Sequence, residues 1–316
     1  MMSPRRSIFS SLRLSSLMLG IGCVLAGTAC AALHGNTEIL PASICLIFVV
    51  FAQMAGNFYY RYYDLTNSPG AGISQRLEGH SAKDSALILK ECSFACALLA
   101  AMSGMTIAAM GGVLILSVGL FTSLIAWLGL GGSVPLLRTP YGIVCPFILF
   151  GPICVITTSL LQSMHEAEEP LNWFDIAPAL YMSIVMGLMC VNATMLYGYA
   201  NYHADRRDSK QTLAATVGRK KTRSVFLANS VVVAAISIAM CVQLNLAVNG
   251  IDFIPAVICF SLNIYIWQRM KKENDTQLRS LIDMGNFNVL LMGLISFIIY
   301  ELTGAPDDST LTFFGI

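Results

Sequence analysis

Charged side chains are scarce in this sequence. Asp, Glu, Lys and Arg make up 12% of its 316 residues, whereas an ordinary soluble domain carries about 25%. The net charge of +1 excludes both a basic nucleic-acid-binding face and the high net charge that is typical of disordered chains. Hydrophobic residues make up 56% of the chain, more than a soluble fold could bury. We therefore expect an all-α, polytopic membrane protein.

Ionisable residues are also missing from the centres of the hydrophobic segments. Because transporters and channels place ionisable residues or broken helices at mid-membrane, transport of a small molecule is only a minor alternative. The ten cysteines fall almost entirely inside these segments, where they act as small apolar side chains. This placement excludes a secreted disulfide scaffold.

The charge-free stretches predict nine transmembrane helices in a single domain, residues 1–316, because a helix needs about 20 apolar residues to cross a bilayer. The longest stretch, Cys92 to Leu137, is long enough for two helices, with a hairpin expected at Gly111-Gly112. The expected spans are approximately 13–33, 39–60, 90–110, 112–130, 143–164, 174–199, 224–247, 251–269 and 283–303.

Basic residues are absent from one side of this nine-span arrangement. All 19 Lys and Arg residues fall on the side of the N-terminus, whereas the other side carries only acidic charges. The positive-inside rule then places the N-terminus in the cytoplasm and the C-terminus outside. We expect an integral, multi-pass protein of a bacterial-type cell (inner) membrane.

Two similar polar triplets end the second and sixth expected spans. They are Asn57, Arg61 and Asp64, and Asn201, Asp205 and Asp208. The spacing of i, i+4 and i+7 places the members of each triplet on one helix face, at the cytoplasmic end of its span. Two such faces predict a polar cavity that opens to the cytoplasm.

The residue types of this cavity suit a metal and a phosphate. Carboxylates such as Asp64, Asp205 and Asp208 commonly hold Mg²⁺, which often bridges to phosphate groups, and Arg206 and Lys210 suit a phosphate as well. The alternative is that these side chains are interfacial anchors and positive-inside charges. The spacing alone does not name a reaction.

The residues around the triplets resemble the UbiA-type intramembrane prenyltransferases, and most closely the 1,4-dihydroxy-2-naphthoate prenyltransferase branch of menaquinone synthesis. The resemblance extends over nearly the whole chain, and nine helices with the N-terminus inside is also that family's architecture. It rests on these segments: Ser11-Leu12-Arg13, Asn57 to Asp64, Val134-Pro135-Leu136, Phe150-Gly151-Pro152, Asn201 to Asp208, Lys210, Thr212-Leu213 and Gly218-Arg219.

The resemblance implies transfer of a polyprenyl group from a prenyl diphosphate to an aromatic acceptor. It implies a Mg²⁺-bound diphosphate, an apolar groove for the isoprenoid tail, and the lipid bilayer as the surroundings. Carried over by position, the catalytic residues would be Asp64, Asp205 and Asn201, and the metal ligands Asp64, Asp205 and Asp208. The diphosphate would be bound by Asn57, Arg61, Arg206 and Lys210.

The sequence departs from the family pattern at several of these positions. The Asn-Asp pair of the first motif is replaced by Tyr60-Arg61, and the Arg-Asp pair of the second by Ala200-Asn201. The middle segment lacks the family's lysine and acid, which align with Leu137 and Ile143. Two interpretations follow. Arg61 substitutes for one metal ion in an active enzyme, or catalysis is lost and the protein binds a prenyl lipid or quinone, or supports a partner enzyme.

Overall fold

The computed structural model describes residues 13–35, 37–67, 80–132, 135–163, 173–244, 250–272 and 277–303. Every regular element in these ranges is a helix, which confirms the all-α class. The α-helices are α1 Leu14–Ala32, α2 Ile39–Asn67, α3 Ala82–Leu130, α4 Val144–Ile148, α5 Thr157–Ser163, α6 Trp173–Ala200, α7 Tyr202–Arg207, α8 Leu213–Val217, α9 Arg219–Gln243, α10 Ile254–Lys272 and α11 Leu278–Thr303. A π-helix, Leu149–Ile156, joins α4 to α5.

Eight segments of the described chain are long and apolar enough to cross a membrane, where the sequence analysis expected nine. They are Leu14–Ala32, Ile39–Asn67, Ala82–Leu130, Pro140–Ser163, Ile176–Ala200, Arg219–Gln243, Ile251–Lys271 and Leu278–Thr303. The difference arises in α3, whose 49 residues would extend about 73 Å as one straight helix. The hydrocarbon core of a bilayer is only about 30 Å thick.

α3 folds back on itself at Gly112. This residue has φ +65° and ψ −156°, a conformation that glycine adopts without steric cost. The Ser93 hydroxyl donates to the carbonyl of Ala55 at 2.9 Å, and the Leu130 side chain lies beside the neighbouring Gly56. Ser93 and Leu130 would be about 55 Å apart in a continuous helix. Because both contact the same turn of α2, the two halves of α3 are antiparallel.

Close backbone contacts hold α1 at the centre of the bundle. A Cβ atom on Gly22 would lie 2.7 Å from the backbone oxygen of Val289, and one on Gly293 would overlap the carbonyl of Gly22. α1 and α11 therefore approach so closely that only glycine fits, the usual way in which helices pack inside membranes. A Cβ atom on Gly151 would likewise lie 2.8 Å from Cα of Gly187, which fixes the π-helix against α6.

Burial separates inner helices from outer ones. About two thirds of the spans in α1 and α6 are buried (67% and 72%), but only 17% of those in α2 and α3. α3 exposes large apolar side chains such as Leu98, Met102 and Phe121, as expected of helices that contact lipid. Four buried charged side chains, Arg61, Asp64, Asp205 and Lys210, lie at one end of the bundle, where α2 and α6 end and the chain passes through α7 and α8.

Candidate active site

Asp64, near the end of α2, is held by two cations. Its Oδ2 accepts a hydrogen bond from Nζ of Lys210 at 2.7 Å, and its Oδ1 accepts one from a guanidinium nitrogen of Arg138. The side chains of Asp64, Lys210 and Arg138 are only 5%, 6% and 13% exposed. Arg61, one turn earlier on α2, is buried as well. The first polar triplet thus ends in a buried, cation-rich cluster.

The turn after α7 brings Lys210 to Asp64. α6 ends at Ala200, and Asn201 interrupts the helix with φ −92° and ψ 11°. Ser209 then adopts a left-handed φ of +56°, and the amide of Lys210 donates to the carbonyl of Asp205 at 2.8 Å. The amide of Gln211 donates to the carbonyl of Arg138 at 2.9 Å. The same turn therefore fixes the positions of both cations that contact Asp64.

Asp205 has a different environment, with a hydroxyl as its hydrogen-bond partner. Its Oδ2 accepts a bond of 3.0 Å from Thr212, whose Oγ1 also accepts from the amide of Ala215 and so caps α8. Burial raises the pKa of the Asp205 carboxyl to about 6, although Lys210 and the Thr212 hydrogen bond lower it. The negative charges of Asp64 and Asp208 raise it further. Asp205 is thus easier to protonate than an ordinary aspartate.

Arg13 links the ends of α1, α2 and α6. Its guanidinium lies over the rings of Tyr60 and Tyr197, 5.2 and 4.6 Å from their centroids, and donates a hydrogen bond to the Tyr197 hydroxyl. Tyr60 also contacts Lys210, whose Nζ donates to its hydroxyl at 3.2 Å. Tyr60 therefore lies between Arg13 and the Asp64 cluster and connects the two cationic groups.

A cavity of about 720 Å³ lies between α1, α2, α3, α6 and the π-helix. Its lining is mostly apolar, with Phe48, Leu116, Ile125 and Leu149 among the contributing residues. One end of the lining is polar and contains Arg13, Ser16, Asn57, Tyr60, Tyr197, Asn201 and Thr212. Lys210 lies directly behind this end, in contact with Tyr60, and Asp205 lies behind Thr212. The cavity therefore combines a long apolar volume with a cationic end.

The structure brings six of the eight sequence-predicted site residues to this end. Asn57 lines the cavity and donates to the Ser16 hydroxyl at 2.9 Å, and Asn201 lines it as well. Asp64, Asp205 and Lys210 lie behind the lining, as described above. Arg61 is buried in the same helix turn as Asp64.

Two predicted residues do not take the expected positions. Arg206 is exposed, and its guanidinium donates to the hydroxyl of its neighbour Tyr202 at 3.0 Å. Asp208 was expected on one continuous helix face with Asn201 and Asp205. The helix is interrupted at Asn201, so Asp205 and Asp208 belong to the short helix α7, which Asp208 caps at its C-terminal end, and the Asp208 carboxylate lies 3.5 Å from Arg207.

Comparison with known proteins explains this architecture. A profile of the UbiA prenyltransferase family matches residues 20–292. The chain belongs to the UbiA prenyltransferase family. A relative from Bacillus subtilis (strain 168), a 1,4-dihydroxy-2-naphthoate octaprenyltransferase, is 24% identical over 201 residues. The matched region covers 62% of this chain and 61% of the relative, so the chain matches less than two thirds of that protein's length.

Solved structures of UbiA homologues share the fold. The apo structure of a homologue from Aeropyrum pernix K1 has a TM-score of 0.65 at 16% identity, over 90% of this chain and 98% of that one. A homologue from Archaeoglobus fulgidus bound to GPP and Mg²⁺ has a TM-score of 0.62 at 11% identity, over 91% and 98%. The chain is therefore an integral, multi-pass membrane protein with the UbiA fold.

The described side chains do not fit the magnesium set that the sequence predicts for this UbiA protein. Within the described ranges, no three His, Cys, Asp or Glu side chains are grouped closely enough to hold a metal ion. Both oxygens of Asp64 accept from cations, and Asp208 lies beside Arg207. The predicted set of Asp64, Asp205 and Asp208 is therefore not assembled, because protein cations already neutralise the carboxylate of the first motif.

Sequence reasoning missed three residues at the polar end. The sequence analysis gives no role to Arg138, although it is the only basic residue between the fourth and fifth expected spans. Arg13 was noted only as part of the Ser11-Leu12-Arg13 resemblance, and Tyr197 was not selected. The position of Arg138, two residues after the Val134-Pro135-Leu136 segment that resembles the family, could have indicated a role at the site.

Proposed function

We propose that this UbiA-family protein transfers a polyprenyl group from a prenyl diphosphate to an aromatic acceptor, such as 1,4-dihydroxy-2-naphthoate in menaquinone biosynthesis. The observation that carries the proposal is the cavity, whose long apolar lining ends at Arg13 and, behind Tyr60, at Lys210. A volume of about 720 Å³ falls within the usual range for small-molecule sites, about 300–1,000 Å³. An amphiphile with an apolar tail and an anionic head matches both ends.

The main requirement of the reaction is stabilisation of its leaving group, the diphosphate. The bond between C1 of the prenyl chain and the diphosphate oxygen breaks, and its electron pair leaves with the diphosphate. Arg13 and Lys210 stabilise the charge that develops there, and preorganised charges of this kind usually contribute most to catalysis. Arginine suits this role because its planar guanidinium can donate two parallel hydrogen bonds to a phosphate.

The allylic cation that remains must react with the aromatic acceptor before it reacts with water. The apolar lining around Phe48 and Leu149 excludes water, and the rings of Tyr60 and Tyr197 face the polar end, where the cation forms. A ring carbon of the acceptor attacks the cation, and a carbon–carbon bond forms. The ring regains aromaticity when that carbon loses a proton, or carbon dioxide if it carried a carboxylate. The similarity to the 1,4-dihydroxy-2-naphthoate octaprenyltransferase of Bacillus subtilis supports a naphthoate acceptor.

The fold-back at Gly112 supports nine membrane crossings, with each half of α3 crossing once. The distribution of Lys and Arg then supports a cytoplasmic N-terminus, an external C-terminus and a polar cavity end that faces the cytoplasm of a bacterial-type cell. Single cysteines introduced at Gln277 and at Glu301 into a variant without native cysteines test this topology. A membrane-impermeant thiol reagent applied to intact cells should label only the second position.

A transfer assay tests the proposed function. Membranes that contain the protein, supplied with labelled geranyl diphosphate or a longer prenyl diphosphate, 1,4-dihydroxy-2-naphthoate and Mg²⁺, should form a prenylated naphthoquinone-type lipid. Membranes with Lys210→Met should not, whereas the matched exposed variant Lys221→Met should retain activity. No turnover with any chain length or phenolic acceptor would refute the enzyme proposal.

The neutralised Asp64 favours one alternative, a UbiA-like protein that binds a prenyl lipid or quinone without turnover or supports a partner enzyme. Such a protein needs the cavity but no metal-binding carboxylates. In that case, the purified protein would retain a prenyl diphosphate or a quinone through size-exclusion chromatography and release it unchanged.

A further inference from the structure

Among the described residues, the cations at the polar end outnumber the carboxylates. Within that part of the chain, Arg13, Arg61, Arg138 and Lys210 carry four positive charges, whereas Asp64, Asp205 and Asp208 supply at most three negative charges. Arg279 and Asp283, which also line the cavity, balance each other. Lys210 and Asp64 are buried, and Arg138 is nearly so. A net positive charge in a largely buried cluster favours an additional anion. The cluster resembles an anion-binding site in which the carboxylate of Asp64 takes the place of the anion.

Asp64 occupies the position of an anionic ligand in this cluster. It accepts from Lys210 through one oxygen and from Arg138 through the other, as one edge of a phosphate group would. A divalent cation that bound Asp64 would have to displace both partners and leave two buried positive charges without it. A diphosphate that displaced Asp64 would keep both cations paired. The electrostatics therefore favour exchange of anions over addition of a metal.

The path for this exchange is short. Tyr60 lines the cavity and accepts a hydrogen bond from Lys210, and the Arg13 guanidinium lies 5.2 Å from the centroid of the same ring. An anion at the polar end of the cavity would therefore meet Arg13 first, and a rotation of the flexible Lys210 side chain would bring Nζ from Asp64 into the cavity. Arg138 is fixed to the same turn through the Gln211 amide.

We propose that Asp64 is a built-in counter-ion rather than a metal ligand, and that the site binds a diphosphate directly through Lys210, Arg138 and Arg13 without a metal ion. The proposal deepens the proposed function, since it concerns how the same site takes its diphosphate. It makes a distinctive prediction about one residue. Removing the charge of Asp64 should strengthen metal-free binding of a diphosphate, whereas removing a metal ligand would weaken metal-dependent binding.

Calorimetry on the full-length protein in detergent, with EDTA present, tests the proposal. Inorganic pyrophosphate and geranyl diphosphate should both bind the unmodified protein. Asp64→Asn should bind pyrophosphate about tenfold more tightly, and Lys210→Met at least tenfold more weakly. Glu91→Gln, which removes one negative charge from an exposed position on α3, is the matched control and should leave the affinity unchanged.

Binding that requires Mg²⁺ in the unmodified protein would overturn the proposal, and so would weaker binding by Asp64→Asn with Glu91→Gln unchanged. The first of these outcomes needs no variant, so the test stands even if Asp64→Asn does not fold. The readout also separates this inference from the proposed function. Prenyl transfer together with strictly Mg²⁺-dependent binding would refute only the counter-ion role, and metal-free binding without transfer to any acceptor would refute only the enzyme.

Discussion

The two aspartate motifs look alike in the sequence but have opposite surroundings in the structure. Asp64 of the first motif is paired with two cations, Lys210 and Arg138. Asp205 of the second is buried against a hydroxyl, and its pKa is raised to about 6. Lys210 of the second motif therefore pairs with Asp64 of the first, whereas the negative charge of Asp205 is only weakly compensated. Equal spacing of polar residues does not imply equal roles.

The largest effect is expected from Lys210, the residue that connects the motifs. Lys210→Met should lower prenyl transfer by about 100-fold or more, the usual cost of removing one group that stabilises a developing negative charge. Initial rates at saturating prenyl diphosphate measure this loss. Lys221→Met, which removes an exposed lysine on α9, is the control. Equal rates in the two variants would show that the connection between the motifs has no role in the reaction.

Arg13 belongs to neither motif but contacts both, through Tyr60 and Tyr197. Arg13→Gln should lower prenyl transfer by about 10-fold or more, since charge-assisted hydrogen bonds contribute about 1.5–3 kcal/mol. Most of the effect should be on the KM for the prenyl diphosphate, because Arg13 lines the cavity where the anion enters. Arg13→Lys should recover part of the loss. If only the KM for the aromatic acceptor changed, Arg13 would contact the acceptor and not the prenyl diphosphate, and the prediction would be wrong.

Stability should separate the two aspartates. Asp64→Asn leaves two buried cations without their counter-ion, and breaking such a pair costs about 3–5 kcal/mol. Its apparent Tm should therefore be lower at neutral pH. Asp205 behaves in the opposite way. Because its pKa is raised, the folded state binds its proton more tightly than the unfolded state does, and stability falls as pH rises from about 4 to about 6.

Asp205→Asn should consequently raise the apparent Tm at pH 7.5 and raise it much less at pH 4.5, while prenyl transfer is lost. Thermal unfolding of both variants in the same detergent at the two pH values makes the comparison. A lower Tm for Asp205→Asn at pH 7.5 would mean that its carboxylate is stabilised by partners in the way that Asp64 is.

Much of this comparison could be predicted from the sequence. The remainder depends on side-chain packing and on a break in one helix, which the residue pattern does not show. Charge scarcity and spacing identified the membrane class, both aspartates and Lys210. They did not identify Arg138, which reaches Asp64 from 74 residues away and depends on how α2 packs beside the turn after α7. They also placed Asn201, Asp205 and Asp208 on one continuous helix, whereas the structure interrupts the helix at Asn201, three residues after Gly198. A single glycine within a helical pattern is usually tolerated and therefore did not predict the break.

The smallest effect is expected from Arg206, which the structure leaves exposed, with its guanidinium hydrogen-bonded to the Tyr202 hydroxyl. Exposed pairs of this kind contribute little, so Arg206→Gln should change both the rate of prenyl transfer and metal-free pyrophosphate binding by less than about twofold. Assayed beside Lys210→Met, this variant tests whether position relative to the turn, rather than membership in the motif, decides which cations act on the diphosphate. A loss comparable to that of Lys210→Met would show that Arg206 moves into the site when the substrate binds.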